Sequence, residues 1–321
     1  MSTTPLVSIN CITYNHAPYI KQCLDGFLMQ KTNFYFEILI HDDASTDGTT
    51  EIIKKYETKY PNLIKPIYQK ENQWSKGVRS ISAKYNFPRA KGKYIAMCEG
   101  DDYWTDPYKL QKQVDLLEDN NKVGIVFHPC YTEIKGITNK NIYFKNDNYK
   151  INTIDILTSE GQFAPTSSYV FRKSILDTFP DWIKYAPVGD FFIEIYATKI
   201  YYGIYMKEPM SVYRIDTPSS WTVNVFKKNR LNFNLQMAKF IKLAMNDFSK
   251  NNKPAFSNLI SYKYLNIAII FYNNNNFKKF KYYINLYSKY SMNYSFYKLK
   301  IQFTALNISL FSIIKMLRPK L

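Results

Sequence analysis

Tyr94-Ile95-Ala96-Met97-Cys98-Glu99-Gly100-Asp101-Asp102-Tyr103-Trp104 is the stretch on which the reading of the whole chain turns. Its first four residues form an apolar run that predicts a buried strand, and the run gives way at once to three carboxylates and a glycine. Acids gathered where a strand ends mark a site position, because open α/β sheets bind ligands beyond the carboxyl ends of their strands. Clustered carboxylates repel one another unless a cation neutralises them. Hard oxygen donors suit Mg²⁺ or Mn²⁺, which keep several waters and take one or two carboxylates together with substrate phosphates. The stretch therefore points to a metal-bound diphosphate. The plainer reading makes Asp101 and Asp102 caps for a helix beginning near Pro107, and the third acid, Glu99, in the same turn weighs against it.

Upstream, Leu6 to Ile12 is a β-branched apolar run ending in the turn formers Thr13-Tyr14-Asn15, and Tyr19 to Gln30 sets Ile20, Cys23, Leu24, Phe27 and Leu28 at helical spacing. Phe36 to Ile40 gives a second strand. It closes on a second acidic loop, His41-Asp42-Asp43-Ala44-Ser45-Thr46-Asp47-Gly48-Thr49, followed by a helix from about Thr50 to Lys59. Ile64 to Tyr68 reads as a third strand and Ser80 to Arg89 as a helix. This alternation implies a parallel sheet with right-handed crossovers, an α/β fold. Downstream follow a helix over Lys109 to Asp119, a strand over Val123 to His128 and a polar, mobile excursion from Asn139 to Thr153. A strand and turn within Phe163 to Arg172 and an apolar helix behind Val188-Gly189-Asp190 come next. The body closes with Tyr201–Tyr205, Met210–Arg214 and Ser219-Ser220-Trp221.

Charge divides the chain more sharply than composition does. Of 321 residues 46% are hydrophobic, enough for a sizeable core, and the net charge is +17. Residues 1–226 are nearly neutral, with 26 Lys and Arg against 25 acids, whereas residues 227–321 carry 17 basic residues and the single acid Asp247. A neutral body with a basic tail suggests a catalytic domain tethered to something anionic. We therefore expect a domain over 1–222 and a basic, aromatic-rich helical region over 223–321. Helices are predicted there at Leu231–Phe248, Leu259–Tyr272, Lys278–Tyr290 and Ile301–Leu317. The last of these is too polar to span a bilayer and suits either an anionic membrane interface or a packed helical subdomain. Cys11, Cys23, Cys98 and Cys130 form no CxxC pair, and most lie in or beside apolar runs, so they read as reduced core residues. The polar start of the chain argues against a secretory signal, and no apolar stretch reaches membrane-spanning length.

Four motifs in order carry a family resemblance: Val7-Ser8-Ile9-Asn10-Cys11-Ile12-Thr13-Tyr14-Asn15; Asp42-Asp43-Ala44-Ser45-Thr46-Asp47-Gly48-Thr49; Lys91-Gly92-Lys93-Tyr94-Ile95-Ala96; and Glu99-Gly100-Asp101-Asp102-Tyr103-Trp104. Over residues 5–222 the chain resembles the inverting family 2 glycosyltransferases. The resemblance implies a GT-A, Rossmann-like, mostly parallel sheet with flanking helices. It implies a Mn²⁺ or Mg²⁺ ion held by Asp102 and Asp101, Asp102 the stronger candidate. Thr13 and Tyr14 would wall the nucleoside, Asp43 would accept from the base, and Asp101 would also meet the ribose-diphosphate. Arg79 or Lys76 would contact the diphosphate, the alternative being a solvated surface charge. Asp190 matches the general base, the alternative being a helix cap; Glu194 reads as structural, and Arg214 and Trp221 fall where the family has a segment that closes over the site.

The implied function is transfer of a sugar from a nucleotide-diphosphate donor, UDP-linked by expectation, to a hydroxyl of a surface-glycan or lipid-linked glycan acceptor. The implied place is cytoplasmic, at the inner face of the cytoplasmic membrane. Two other functions fit the residues less well. A sugar nucleotidyltransferase needs a glycine-rich basic loop after the first strand, and Thr13-Tyr14-Asn15-His16-Ala17 is not one. A nucleic-acid or membrane-binding protein would use the basic tail, but the neutral body supplies no basic groove, so no nucleic acid is expected.

Overall fold

The computed structural model describes residues 4–140, 148–159, 161–215, 217 and 229–291. The chain divides into two compact units, 1–228 and 229–321. The first unit opens with β1 (Val7–Thr13), α1 (Ile20–Leu28), β2 (Phe36–Asp42), α2 (Thr49–Lys59) and β3 (Ile64–Tyr68). β4 (Tyr94–Met97), β5 (Tyr103–Trp104), α3 (Lys109–Glu118), β6 (Val123–Phe127), β7 (Tyr131–Ile134), β8 (Ile137–Lys140) and β9 (Tyr149–Ile151) follow. α4 (Thr153–Thr158), β10 (Val170–Arg172), α5 (Asp190–Ile200), β11 (Tyr202–Tyr205) and β12 (Ser211–Ile215) complete it.

Eight strands form the main sheet in the order β3-β2-β1-β4-β10-β6-β11-β9. β3, β2, β1 and β4 run parallel, and β10 enters antiparallel between β4 and β6. β1, β2 and β4 are buried on both faces, which is why their sequences read as continuous apolar runs without alternation. A second sheet, β5-β12-β7-β8, brings β12 against the segment just after the acidic loop.

Buried polar links set the registers of the central strands. Ser8 Oγ donates to Glu37 Oε1 at 2.6 Å, while Gly92 N donates to Ser8 Oγ and Lys91 N to Glu37 Oε1. Gly92 has no substitute here, because a Cβ would lie 2.5 Å from the backbone nitrogen of Ser8. The Asn86 amide donates to Asn10 Oδ1 and to the carbonyls of Cys11 and Leu39. That side chain accounts for one departure from expectation: 80–89 is no regular helix, but a π-helical turn at Ser82–Asn86 and a 3-10 turn at Phe87–Arg89. Pro88 lacks an N–H and cannot continue an α-helix, and the wide turn aims Asn86 into the sheet.

A second departure concerns the excursion expected at 139–153. Residues 149–151 form the edge strand β9, and Asn152 caps α4 with a reciprocal capping box to Asp155; residues 141–147 lie outside the described set. All four cysteines are free and buried. In the second unit, α6 (Arg230–Met245), α7 (Lys253–Asn273) and α8 (Phe277–Tyr290) fall where the first three of the four expected helices were placed, with α7 beginning six residues earlier. The fourth, at 301–317, lies outside the described residues. Among the described residues no helix is long and apolar enough to cross a membrane.

Candidate active site

β1, β2 and β4 end side by side, and the loops that leave them are tied together before any ligand is considered. Asn15 N donates to Ser45 Oγ and Thr46 N to Asn15 Oδ1, joining the first loop to the second. Asp47 accepts from Ala17 N and from both the N–H and the hydroxyl of Thr49, so it fixes the start of α2 as expected of a capping acid. Asp42 is equally structural, accepting from Ser45 and Thr50.

Asp43 is buried, and its two oxygens accept from Gln73 N at 2.8 Å and Trp74 N at 3.0 Å, with His41 Nε2 3.4 Å away. Burial pushes its carboxyl up, but these donors outweigh burial and hold it below the usual range. The same loop carries Arg79, whose guanidinium lies over the Trp74 ring at 4.6 Å and donates to the Trp74 carbonyl. Lys76 pairs with Glu71 at the surface instead. Thr13 is buried and Tyr14 stays exposed at the end of β1.

The acidic loop continues the pairing of β4 with β1. Cys98 N donates to Asn10 O and Gly100 N to Ile12 O, and the thiols of Cys23 and Cys98 both point at the Glu99 carbonyl. Gly100 sits hard against β1: a Cβ there would come 2.7 Å from Thr13 Oγ1 and 3.0 Å from His16 Nδ1. We expect Gly100→Ala to weaken nucleotide binding at least tenfold while far-ultraviolet circular dichroism stays native, because the acids must shift although the sheet does not. Asp101 accepts from Thr217 Oγ1 at 3.1 Å and lies 3.8 Å from His16 Nε2. Asp102 Oδ1 accepts from the backbone N–H of Arg214 at 2.9 Å.

Arg214 is the residue whose importance the sequence hid. It was expected in a closing segment; instead it is buried in β12, and its guanidinium donates to Asp101 O, Glu133 Oε1 and Gln22 Oε1 while lying between the rings of Tyr19 and Tyr103. Trp221, named with it, lies outside the described residues. Tyr103 completes the clamp by donating to Glu133. Trp104 is buried, packs its ring against Phe27 and donates to the Ser167 carbonyl, so it serves the core.

Asp190 heads α5. Its Oδ1 accepts from Phe191 N at 2.7 Å and its carboxyl also receives the Thr166 hydroxyl. Glu194, one turn later, is fully buried and accepts from Phe163 N, Ala164 N and the Tyr169 hydroxyl, which fixes the segment leading into β10.

Electrostatics join the acidic loop to α5. Desolvation, then the charges of Asp101 and Asp190, raise the Glu99 carboxyl above its usual range, and because Glu99 is exposed to solvent its two acidic neighbours matter more than burial. Burial and then the charge of Asp101 push Asp102 well above the usual carboxylate range, and burial raises Asp190 despite its donors. Glu99 thus feels the charge both of Asp101 in its own loop and of Asp190 at the head of α5. Mutually repelling hard-oxygen acids fit a divalent cation chemically. Among the described residues no three His, Cys, Asp or Glu side chains converge closely enough to hold a metal by themselves. One or two carboxylates completed by phosphate oxygens and water is the arrangement such a set permits.

This architecture, with acids at successive ends of a mostly parallel sheet, is the GT-A fold. The mannosyltransferase PcManGT from Pyrobaculum calidifontis, solved with GDP-Man and Mn²⁺, superposes with a TM-score of 0.56 at 17% identity, covering 95% of this chain and 80% of that one. The Glycosyl transferase family 2 profile matches residues 8–179, and the chain belongs to that family. Among relatives, the Uncharacterized protein Rv1520 of Mycobacterium tuberculosis is 46% identical over 127 residues, 38% of this chain and 34% of that protein. The match thus spans about a third of that relative's length. The UDP-Glc:alpha-D-GlcNAc-diphosphoundecaprenol beta-1,3-glucosyltransferase WfaP of Escherichia coli is 36% identical over 128 residues, 40% of this chain and 47% of that protein.

Proposed function

We propose that the chain transfers a sugar, with inversion, from a nucleotide-diphosphate donor to a hydroxyl of a surface-glycan acceptor carried on a lipid. The observation that carries this is the acidic loop at the end of β4, braced by Arg214 and close enough to Asp190 at the head of α5 for Glu99 to feel the charges of both Asp101 and Asp190. Family membership and the lipid-diphosphate acceptor in the name of the relative WfaP support the choice of substrates, with UDP the first nucleotide to try. The work would take place at the cytoplasmic face of the membrane, with the basic C-terminal region near the anionic surface.

Each group has a task. Tyr14 and the Trp74 loop wall the nucleoside, Asp43 accepts from the base, and Arg79 meets the diphosphate. Asp101 and Asp102 would hold Mn²⁺ or Mg²⁺, which when bound neutralises charge on the departing diphosphate. The sequence ranked Asp102 first. Its carboxylate is wholly buried and braced by Arg214, whereas Asp101 keeps slight exposure to solvent, so we assign Asp101 the principal contact and Asp102 the bracing one. Asp190 takes the proton of the acceptor hydroxyl as its oxygen bonds to the anomeric carbon and the bond from that carbon to the diphosphate breaks. One base suffices, since the nucleoside diphosphate leaves as an anion.

Burial of Asp190 sets the pH behaviour. The base must be deprotonated, and its folded pKa is raised. Catalysis is therefore lost as pH falls through a value above the ordinary carboxylate range, and kcat/KM should show an acid limb above about pH 4. A limb at or below that value would contradict a base at Asp190. The wider reading is tested by titrating UDP, GDP and dTDP into the protein with Mn²⁺ and again with EDTA. One nucleotide should bind, and its affinity should fall when metal is removed; no nucleotide binding under either condition would sink the proposal.

A further inference from the structure

The second unit holds a cavity of about 400 Å³ between α6, α7 and α8. Its apolar lining comes from Leu235, Leu243 and Leu286, while Lys239 and Lys242, one turn apart on α6, supply its charge. The Lys242 ammonium donates to the Tyr264 hydroxyl and lies over the rings of Tyr264 at 4.9 Å and Tyr290 at 4.6 Å. Tyr283, also at the cavity, is held flat against Phe271 with ring centroids 5.5 Å apart. No carboxylate among the described residues forms an ion pair with either lysine. Acids are scarce throughout this region, since residues 229–291 hold ten Lys and Arg against Asp247 alone.

We propose that this groove docks the phosphate headgroup of an anionic membrane lipid. Two cations without a carboxylate partner, one fixed by tyrosine, call for an anion. Beside them, tyrosine hydroxyls are hydrogen-bond donors suited to phosphate oxygens. The leucine floor gives the first methylenes of an attached hydrocarbon chain a place to lie, which a free phosphate would leave wet. A cytoplasmic leaflet offers that combination of charge and hydrocarbon at one surface. The inference stands independently of the donor-site reading, because neither lysine belongs to the acidic loop.

The test is co-sedimentation of the full chain with vesicles of phosphatidylglycerol and phosphatidylcholine, against phosphatidylcholine alone. Wild type should bind the anionic vesicles selectively. Lys239→Ala with Lys242→Ala should weaken that binding roughly tenfold or more. Lys239→Glu gives a second arm, since Lys239 is exposed and its change leaves the helix packing intact; it should weaken binding too. Replacing Lys298, Lys300, Lys315, Arg318 and Lys320 together by alanine serves as the comparison, because those cations belong to the part of the chain beyond residue 291 and so test the rest of the basic tail. Loss of binding only in that comparison variant, or equal binding to both vesicle types, would overturn the proposal. So would saturation of the lysines by inorganic phosphate without vesicle binding. Nucleotide titration of the same variants keeps the two readings apart: it should be unchanged whichever way the vesicle result falls.

Discussion

Asp190→Asn is expected to lower kcat by about 10²–10⁴-fold, the usual worth of a positioned general base, with donor binding within twofold of wild type. The substitution keeps the shape of the side chain and its oxygen for the Phe191 N–H and the Thr166 hydroxyl. It removes the charge and the capacity to take a proton. A cap would behave differently, because an asparagine caps about as well as an aspartate and the change would pass nearly unnoticed in turnover. The outcome separates the two readings that the sequence alone left open, and a thermal melt confirms that the loss is chemical. Glu194→Gln supplies the contrast. That residue holds Phe163, Ala164 and Tyr169 in place, so its substitution should register first in the melt.

Arg214→Ala should produce the largest loss of stability, about 3–5 kcal/mol, together with loss of metal-dependent nucleotide binding. The side chain joins Gln22 in α1, the acidic loop through Asp101 O, and Glu133 on β7, and it fills the space between Tyr19 and Tyr103. Removing it leaves Glu133 with Tyr103 as its remaining donor, strips the Asp101 carbonyl of its guanidinium donor and opens a gap between two rings. The N–H that braces Asp102 survives any substitution except proline, so the experiment reports on the guanidinium alone. Arg214→Lys should recover part of the stability, because a lysine restores the charge but cannot reach several acceptors in one plane. Equal behaviour of the alanine and lysine variants would mean that the forked geometry is irrelevant.

Local pattern carried much of the fold, and long-range contact carried the rest. The strands before the acidic loops were legible because burial on both faces leaves an unbroken apolar run, as in Phe36 to Ile40 and Tyr94 to Met97. The acids themselves stand out because they fall directly after those runs. Segment 80–89 misled, since its spacing suits a helix while Pro88 and the inward pull of Asn86 forbid one. Residues 149–151 misled for the opposite reason: polar, Lys-rich composition reads as loop, yet an edge strand needs only one ladder and the partner β11 supplies it. Arg214 was invisible in role because its partners lie 81 to 192 residues away in the chain. The environments of the two aspartates were beyond any spacing argument, for only the fold brings the Arg214 N–H to Asp102 and Thr217 with His16 to Asp101.

The central claim is that the acidic loop and Asp190 form one metal-dependent transfer site. It is met most directly by nucleotide release from UDP-, GDP- and dTDP-sugars with Mn²⁺ or with EDTA, comparing wild type with Asp101→Asn and Asp190→Asn. The account predicts that one donor is turned over only with metal. It also predicts that Asp101→Asn abolishes both binding and turnover, and that Asp190→Asn binds the donor but does not turn it over. Turnover that survives EDTA, or that survives in Asp190→Asn at the wild-type rate, would contradict it.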